Sequence, residues 1–375
     1  MTLSLASWVP RQAPPLEFGK QSRCQIAGLP VNFAAAMPAI APANPTPRAL
    51  PHPGRGIAVI SERESLGDGF YKLHLLRALK RAYPDEKITW IVSESDSPYR
   101  TLMARIVAPL VDTLVVQAGL RRPWLVARRR LHDLPRFGLA IDHRSNNAVI
   151  AATRLLLPAD IYQAATPGYL FCRYRPAGAR PRHKLARLMA LLEAVAGCPV
   201  DGSGEIDLPA VTSAGAAVLL PEGRRYVGIA PGASGPPRYW PLERQIALAD
   251  WIAEQGWQPV ILLGPMESHM LAPLRQALPG ALFPGCEEGG TLADIDLWLA
   301  LGRRLSAAVS NDTGTGHLLG ESGVPLLSLF GPTDPRVWAP VAKRGRVLWS
   351  RDYGGPEMHR IPLADVKAAV AALMA

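Results

Sequence analysis

Cysteine is scarce: Cys24, Cys172, Cys198 and Cys286 are the only four in 375 residues, and no two form a CxxC pair. That spacing excludes a disulfide framework and a structural zinc site as organising devices, and it suits a reducing compartment. The four read as ordinary thiols. Long apolar runs are also missing. The best uncharged candidate, Ala27 to Asn44, is interrupted by Pro30, Pro38 and Pro42, whereas a spanning helix needs about 20 apolar residues and an unbroken backbone ladder. A secretory signal is not expected either, because Met1–Trp8 has no basic start and Pro10, Pro14 and Pro15 follow at once. Charged residues amount to only 19 %, too few for a disordered, self-repelling chain.

What the chain does have is apolar mass and proline. With 48 % hydrophobic residues, 375 residues can bury two ordinary cores, so two domains are expected. Ten of the 37 prolines fall in residues 1–53, which read as an irregular amino-terminal arm. An over-long start, with Met37 as a later one, is the alternative. The net charge of +10 is uneven: residues 54–210 carry 23 basic and 15 acidic side chains, residues 211–375 carry 14 and 15. A basic half beside a near-neutral half is expected to meet something anionic.

From Arg55 onward short apolar runs alternate with helical periodicity. Ile57–Ile60, Ile88–Val92, Thr113–Val116 and Leu139–Asp142 read as strands. Leu73, Leu76, Leu79 and Tyr83 share one face of a helix, and His183–Gly197 forms another, stopped by its glycine. The rhythm restarts with strands at Tyr226–Ala230, Pro259–Gly264, Ala307–Asn311 and Leu326–Gly331, and with helices around Leu242–Gln255, Ser268–Leu278 and His317–Ser322. The fold class is therefore α/β, two doubly wound parallel sheets, with residues 54–210 and 211–375 as the two domains. The boundary is expected in the Gly/Pro/Ser-rich stretch from Pro199 to about Pro221. Ligands in such sheets lie beyond the carboxyl ends of the strands.

Four constellations occupy loops of that kind. Ser65-Leu66-Gly67-Asp68-Gly69 offers Asp68 either as a helix N-terminal acid or as a carboxylate able to take a proton from a hydroxyl. The stretch from Ala230 to Pro241 places Arg238 on a small-residue loop, where backbone N–H groups can approach an anion and a guanidinium can clamp it. In Leu262-Leu263-Gly264-Pro265-Met266-Glu267, Glu267 is either a ribose-binding acid or one favoured by a helix dipole. The fourth, Ser310-Asn311-Asp312-Thr313-Gly314-Thr315-Gly316-His317, joins a carboxylate, a hydroxyl, open amides and an imidazole at a helix start. It leads on to Leu329-Phe330-Gly331-Pro332-Thr333-Asp334-Pro335.

Taken in order, Gly-Asp before a Leu-Arg-Ala-Leu helix, Arg-x-Trp-Pro, Leu-Gly-Pro-x-Glu, Asp-Thr-Gly-x-x-His and Leu-Phe-Gly-Pro-Thr-Asp-Pro resemble glycosyltransferase family 9, the ADP-heptose:lipopolysaccharide heptosyltransferases. The resemblance covers about residues 55–345. It implies a GT-B fold of two Rossmann-like domains facing a cleft, the first binding acceptor and the second nucleotide-sugar, with inverting, metal-independent transfer and no cofactor. Asp68 then matches the general base, Arg238 the donor-phosphate contact and Glu267 a nucleoside contact. Asp312, Thr313, Gly314 and His317 match the donor-binding turn. An anionic glycolipid acceptor implies a cytoplasmic protein touching the inner membrane surface, with Arg128, Arg129 and Arg130 as its acceptor-side cations.

The sequence departs from the family where the helix after Asp68 reads Gly69-Phe70-Tyr71-Lys72-Leu73-His74 rather than a small or apolar stretch ending in proline. That face is expected to border the acceptor. Gly316 stands where a larger residue is common, which is expected to alter sugar fit. Asp294-Ile295-Asp296 reads as a helix-start pair rather than a metal pair. A GT-B enzyme or epimerase using another nucleotide-sugar is the rival reading. Nucleic acid is not an expected partner, because the basic runs lack interleaved aromatics and a binding motif.

Overall fold

The computed structural model describes residues 46–121, 131, 133–286 and 291–375. Most of the proline-rich arm (residues 1–45) and Arg128, Arg129 and Arg130 lie outside the described residues. The end of the arm packs on the body: Leu50 is buried, and the Arg48 guanidinium stacks 4.4 Å from the Tyr174 ring centroid.

The first half runs β1 (Ile57–Ser61), α1 (Leu66–Ala82), β2 (Ile88–Val92), α2 (Ala104–Val107), β3 (Thr113–Val115), β4 (Phe137–Asp142), α3 (Asn147–Leu156), β5 (Ala159–Ala164) and α4 (Lys184–Ala196). The second runs α5 (Ala210–Leu219), β6 (Tyr226–Ala230), α6 (Leu242–Glu254), β7 (Gln258–Ile261), α7 (Ser268–Ala277), α8 (Ile295–Arg304), β8 (Ala307–Asn311), α9 (Gly314–Ser322), β9 (Leu326–Phe330), α10 (Pro335–Trp338), β10 (Gly345–Trp349) and α11 (Leu363–Met374). Both sheets are parallel, ordered β3-β2-β1-β4-β5 and β10-β9-β8-β6-β7. Their central strands are buried along their whole length, which is why they read as continuous apolar runs rather than alternating ones. Val59 pairs with Trp90 on one side and Ile141 on the other; Ile229 does the same with Ile261 and Val309.

Each sheet reverses direction once, between β1 and β4 and between β6 and β8. Those switch points are where an open α/β sheet leaves a crevice. The loops after β1, β6 and β8 carry Asp68, Arg238 and Asp312.

Several elements were not expected, among them α2, α3, α10 and α11, and three more have a clear reason. β5, Ala-Asp-Ile-Tyr-Gln-Ala, has no apolar run; its buried Gln163 is satisfied by the Tyr174 backbone, with N–H donated to Gln163 Oε1 and Gln163 Nε2 donating to the carbonyl. β10 is an edge strand, half-buried throughout, so its pattern is weak. α5 lies inside the stretch expected to be an irregular boundary. It is rich in Ala and buries only Ala216 fully, so no amphipathic stripe announced it, yet it packs on α8. Asp294 behaves as expected, capping α8 by accepting from the Asp296 N–H at 2.9 Å. Among the described residues, no helix is long and apolar enough to cross a membrane.

Candidate active site

The two halves meet where α1 and α9 begin. A Cβ placed on Gly67 would lie 3.0 Å from His317 Cδ2 and 3.1 Å from the Gly314 Cα, so glycine at both positions is what lets the two helix starts touch. Asp68 is one residue further on. Its carboxylate completes a capping box: Oδ2 accepts from the Ser65 N–H at 3.0 Å and from Ser65 Oγ at 2.7 Å, while the Asp68 N–H donates to Ser65 Oγ at 3.3 Å. The capping role is real, and it leaves the half-buried carboxylate on the interface between the halves. Burial opposes its ionisation. The Lys72 ammonium, the Ser65 donors and Lys184 outweigh that and hold the acid below its ordinary range.

Around Asp68 the first half contributes Tyr71, His143 and Lys184. Tyr71 Oη lies 3.0 Å from His143 Nε2, and its ring is 6.0 Å from that of His317. Burial, reinforced by the Asp68 and Glu64 charges, raises the phenol well above 10, so it keeps its proton. Burial and the Lys72 and Lys184 charges depress His143, leaving it neutral at physiological pH. Lys184, in the first turn of α4, sits 3.5 Å above the Trp338 ring of α10. Burial pulls its pKa down to about 8 against the pull of Asp68. Beside it, His183 Nε2 lies 3.0 Å from the Ala339 carbonyl oxygen, a second tie between the halves.

The unusual stretch after Asp68 is mostly structural, correcting the expectation that it borders an acceptor. Phe70 and Leu73 are core. Lys72 is fully buried and donates to Ser61 Oγ at 2.7 Å and Glu64 Oε1 at 2.8 Å; Trp90 Nε1 at 3.0 Å and Ser97 Oγ at 2.5 Å also donate to Glu64. His74 crosses to the other half. Tyr71, 4 % exposed, packs between His143 and His317. Gly316 points away from the cleft: a Cβ there would meet Ser310 Oγ at 3.2 Å and Pro340 Cγ at 3.3 Å, so interior packing rather than sugar fit requires a glycine.

In the second half three loops converge. Asn311, at the end of β8, donates from Nδ2 to the Pro231 and Gly232 carbonyls at 2.8 and 3.2 Å, tying the β6 loop to the β8 loop. Gly232 in turn abuts Glu267, whose Oε1 would lie 2.2 Å from an added Cβ. Burial raises the Glu267 carboxyl, opposed by backbone donors and His269. Arg238 Nη1 stands 3.4 Å from Asp312 Oδ2, with the Arg238 side chain 37 % exposed and therefore open to an anion. Asp312 also accepts from Thr333 Oγ1; burial raises its pKa, and Thr333 and Arg238 counter it. Thr313 precedes the helix with extended backbone and makes no side-chain cap. Its Oγ1 and His317 Nδ1 are buried and have no partner among the described residues. Burial takes His317 down to about 4, so at neutral pH it is an uncharged imidazole, not a cation. The positive charge for an anion here comes from Arg238 and the N–H groups opening α9.

Asp68, Thr313, Gly314 and His317 thus meet at one point. Asp312 and Arg238 form a pair beside it, and Glu267 joins through Gly232. Asn311, Tyr71, His143 and Lys184 were not singled out from sequence. Asn311 and Tyr71 lay within quoted stretches, whereas His143 and Lys184 depend on which loops the fold brings together. Among the described residues no group of three or more His, Cys, Asp or Glu side chains is placed to hold a metal ion.

Residues 162–365 match the family model of glycosyltransferase family 9 (heptosyltransferase). The chain belongs to glycosyltransferase family 9. It is 26 % identical over 294 residues to lipopolysaccharide heptosyltransferase 1 of Pseudomonas aeruginosa, covering 74 % of this chain and 79 % of the relative. It is 28 % identical over 126 residues to lipooligosaccharide heptosyltransferase 2 of Haemophilus influenzae, and 29 % over 127 to lipopolysaccharide heptosyltransferase 2 of Escherichia coli. Each of these two alignments covers 33 % of this chain and spans only 36 % of the relative's own length. Among solved structures, a family 9 glycosyltransferase from Veillonella parvula superposes with a TM-score of 0.61 at 19 % identity, over 88 % of this chain and 99 % of that one. E. coli ADP-heptose LPS heptosyltransferase II superposes at 0.60 and 18 %, over 85 % and 98 %. The two parallel-sheet domains are the GT-B fold of these structures.

Proposed function

We propose that this family 9 protein is an inverting, metal-independent glycosyltransferase that moves a heptose, or a related sugar, from an ADP-sugar to a lipopolysaccharide core or similar anionic glycolipid. The observation that carries this is the contact of Gly67 with Gly314, which sets an ionised Asp68 against the helix start suited to a diphosphate. In the proposed reaction Asp68 takes the acceptor hydroxyl proton as that oxygen attacks the anomeric carbon. The bond to the ADP oxygen breaks in the same step. Arg238, oriented by Asp312, and the N–H groups at the start of α9 meet the charge that develops on the leaving diphosphate, a preorganised electrostatic effect. Glu267 accepts hydroxyls of the nucleoside. The acceptor half is residues 54–210 and the donor half 211–375. Relatives named as lipopolysaccharide heptosyltransferases support the choice of sugar and acceptor. The protein is proposed to work in the cytoplasm at the inner membrane surface, which fits the basic first half.

The test is product analysis with purified protein and lipopolysaccharide core, offering ADP-heptose against UDP- and GDP-sugars, with and without EDTA. Transfer from ADP-heptose that survives EDTA is expected. Transfer from another nucleotide-sugar alone, or activity lost on chelation and restored by magnesium, overturns the corresponding part. Arg238→Ala should weaken ADP binding in calorimetry by about 1.5–3 kcal/mol, the range for hydrogen bonds to charged groups.

A further inference from the structure

We infer that the loop leaving β5, from Thr166 to Arg180, together with Arg187 on α4, is an oxyanion subsite that holds a carboxylate or phosphate carried by the acceptor. The word acceptor rests on the function proposed above; the anion site itself rests on the geometry that follows.

Three polar atoms in this one loop are buried without a partner among the described residues: Thr166 Oγ1, Tyr169 Oη and Arg180 Nε. Thr166 is fully buried and Tyr169 is 7 % exposed. Buried polar atoms in a folded protein nearly always have partners, so three orphans in fifteen residues mark a place built for something absent. Hydrogen bonds to the backbone tie the segments that carry them together. The Tyr169 N–H donates to the Thr166 carbonyl at 3.1 Å, and Arg180 Nη2 donates to the carbonyl of Ala165, the preceding residue. The Tyr169 phenol lies within electrostatic reach of both Arg180 and Arg187.

The backbone is held in an uncommon conformation to achieve this. Gly168 and Tyr169 both have positive φ, 64° and 53°. A bulky aromatic residue adopts the left-handed region only where surrounding structure enforces it, and such residues concentrate at ligand sites. Here that conformation carries the phenol into the cluster.

The charge is one-sided. No described residue forms a salt bridge with Arg180, Arg187 or Lys184, whereas the buried cations Lys72, Arg77 and Arg144 each have a carboxylate partner. Arg180 and Arg187 repel each other, and burial adds to the penalty on Arg187. Arg187 donates from Nε and Nη2 to the Pro181 and Arg182 carbonyls at 3.2 and 3.0 Å, and Arg180 from Nη2 to Ala165; their remaining N–H groups, the phenol and the hydroxyl offer donors and no carboxylate. A carboxylate or phosphate matches those donors and the charge; a neutral sugar hydroxyl leaves the charge uncompensated. The loop follows the carboxyl end of β5, on the cleft side of the sheet. Lys184 and Arg187 lie on α4, which packs on α1, the helix carrying Asp68 and Tyr71, so the anion would be bound beside the proposed base rather than in the donor turn.

Tyr169→Phe and Thr166→Val separate this role from a structural one. A hydroxyl that bonds within the fold stabilises the free protein, and deleting it lowers the melting temperature. A hydroxyl kept for a ligand is a liability in the free protein, and deleting it leaves the melting temperature unchanged or raised. The full chain is melted and titrated calorimetrically with inorganic phosphate and, separately, with acetate, always with saturating ADP to occupy the proposed donor site. Phosphate or acetate is expected to stabilise the wild type. Both variants should melt no lower than wild type without anion and bind it at least tenfold more weakly. Arg180→Ala should do the same to binding, although its lost bond to Ala165 makes its stability uninformative. Phosphate binding with no response to acetate assigns the site to a phosphoryl group, and the reverse to a carboxylate. No anion response in the wild type, an undiminished one in both variants, or variants that melt markedly lower overturns the proposal. A chain that responds to phosphate at this loop yet fails to bind ADP would instead overturn the donor reading and leave the subsite standing.

Discussion

At Asp68 a single carboxylate has two roles that pull in one direction. The capping box fixes its rotamer, and the Ser65 donors with Lys72 and Lys184 keep it ionised, the form able to accept a proton. Asp68→Asn retains a capping side chain but cannot act as a base. It should leave ADP affinity intact and reduce kcat by a factor on the order of 10² or more, the usual loss for a positioned base. Single-turnover kinetics measure this directly, and near-wild-type turnover would remove Asp68 from the mechanism. His317 yields a prediction with a definite sign. Its pKa falls from 6.5 to about 4 on folding because the ring is buried. Between those values the unfolded chain binds a proton that the folded one refuses, so stability declines as pH drops from about 6.5 towards 4. The full window is worth on the order of 3 kcal/mol. Urea midpoints measured at pH 7.5 and 4.5 should differ less in His317→Gln than in wild type; equal differences would mean the ring is solvated.

Between elements, the decisive contact is α1 against α9, and it continues well beyond the abutting glycines. Glu321 of α9 reaches both His74 Nε2 at 2.6 Å and Arg77 at 3.0 Å, with all three side chains no more than 10 % exposed. His74 Nδ1 faces the Gly202 carbonyl at 3.0 Å. Because α1 begins at the proposed base and α9 at the donor turn, this triad governs their relative placement. Glu321→Ala leaves the buried Arg77 guanidinium without its anion and His74 without its partner, and should cost about 3–5 kcal/mol. Adding Arg77→Met and His74→Leu to a Glu321→Leu background should recover most of that, since well-packed apolar replacements of buried ion pairs are often neutral. Chemical denaturation of the single and triple variants checks both statements; a single variant within 1 kcal/mol of wild type would mean water reaches the triad. Much of the architecture was legible: the eight strands read from apolar runs all exist, and three of the four quoted loops lie at the switch points, while the Glu267 loop follows the edge strand β7. What was not legible has physical reasons. β5 hides because its polar Gln163 is paid in hydrogen bonds to Tyr174, and α5 because alanine carries no amphipathic signal. The His74–Glu321 pair spans 247 positions, and neither residue's type says which loop it will face. The same holds for Thr166, Tyr169 and Arg180, whose significance lies in bonds they do not make.

For the whole molecule the remaining signal is charge. Residues 54–210 hold an excess of eight basic side chains while residues 211–375 hold one excess acid. Part of the first half's excess sits in buried or paired positions such as Lys72, Arg77 and Arg144, which cannot steer anything. The sequence run Arg121–Arg136 is different in composition, with six arginines against Asp133 alone. Arg128, Arg129 and Arg130 lie outside the described residues, so the case for them rests on local charge. An anionic lipid surface attracts each nearby basic residue by about 1 kcal/mol, and the attraction decays over the Debye length. Reversing all three to Glu should therefore raise the acceptor KM while leaving ADP affinity intact, because the donor turn draws its charge from Arg238 and α9. The same change should flatten the dependence of KM on salt, since screening acts over about 10 Å at 0.1 M and has less attraction left to weaken. The two readouts separate this run from the β5 loop. Charge reversal at the run moves KM and its salt slope together, whereas Tyr169→Phe alters acceptor affinity without touching net charge, so its salt slope should match wild type. An acceptor KM unchanged by the reversal at both low and high salt would assign this basic run to some other task.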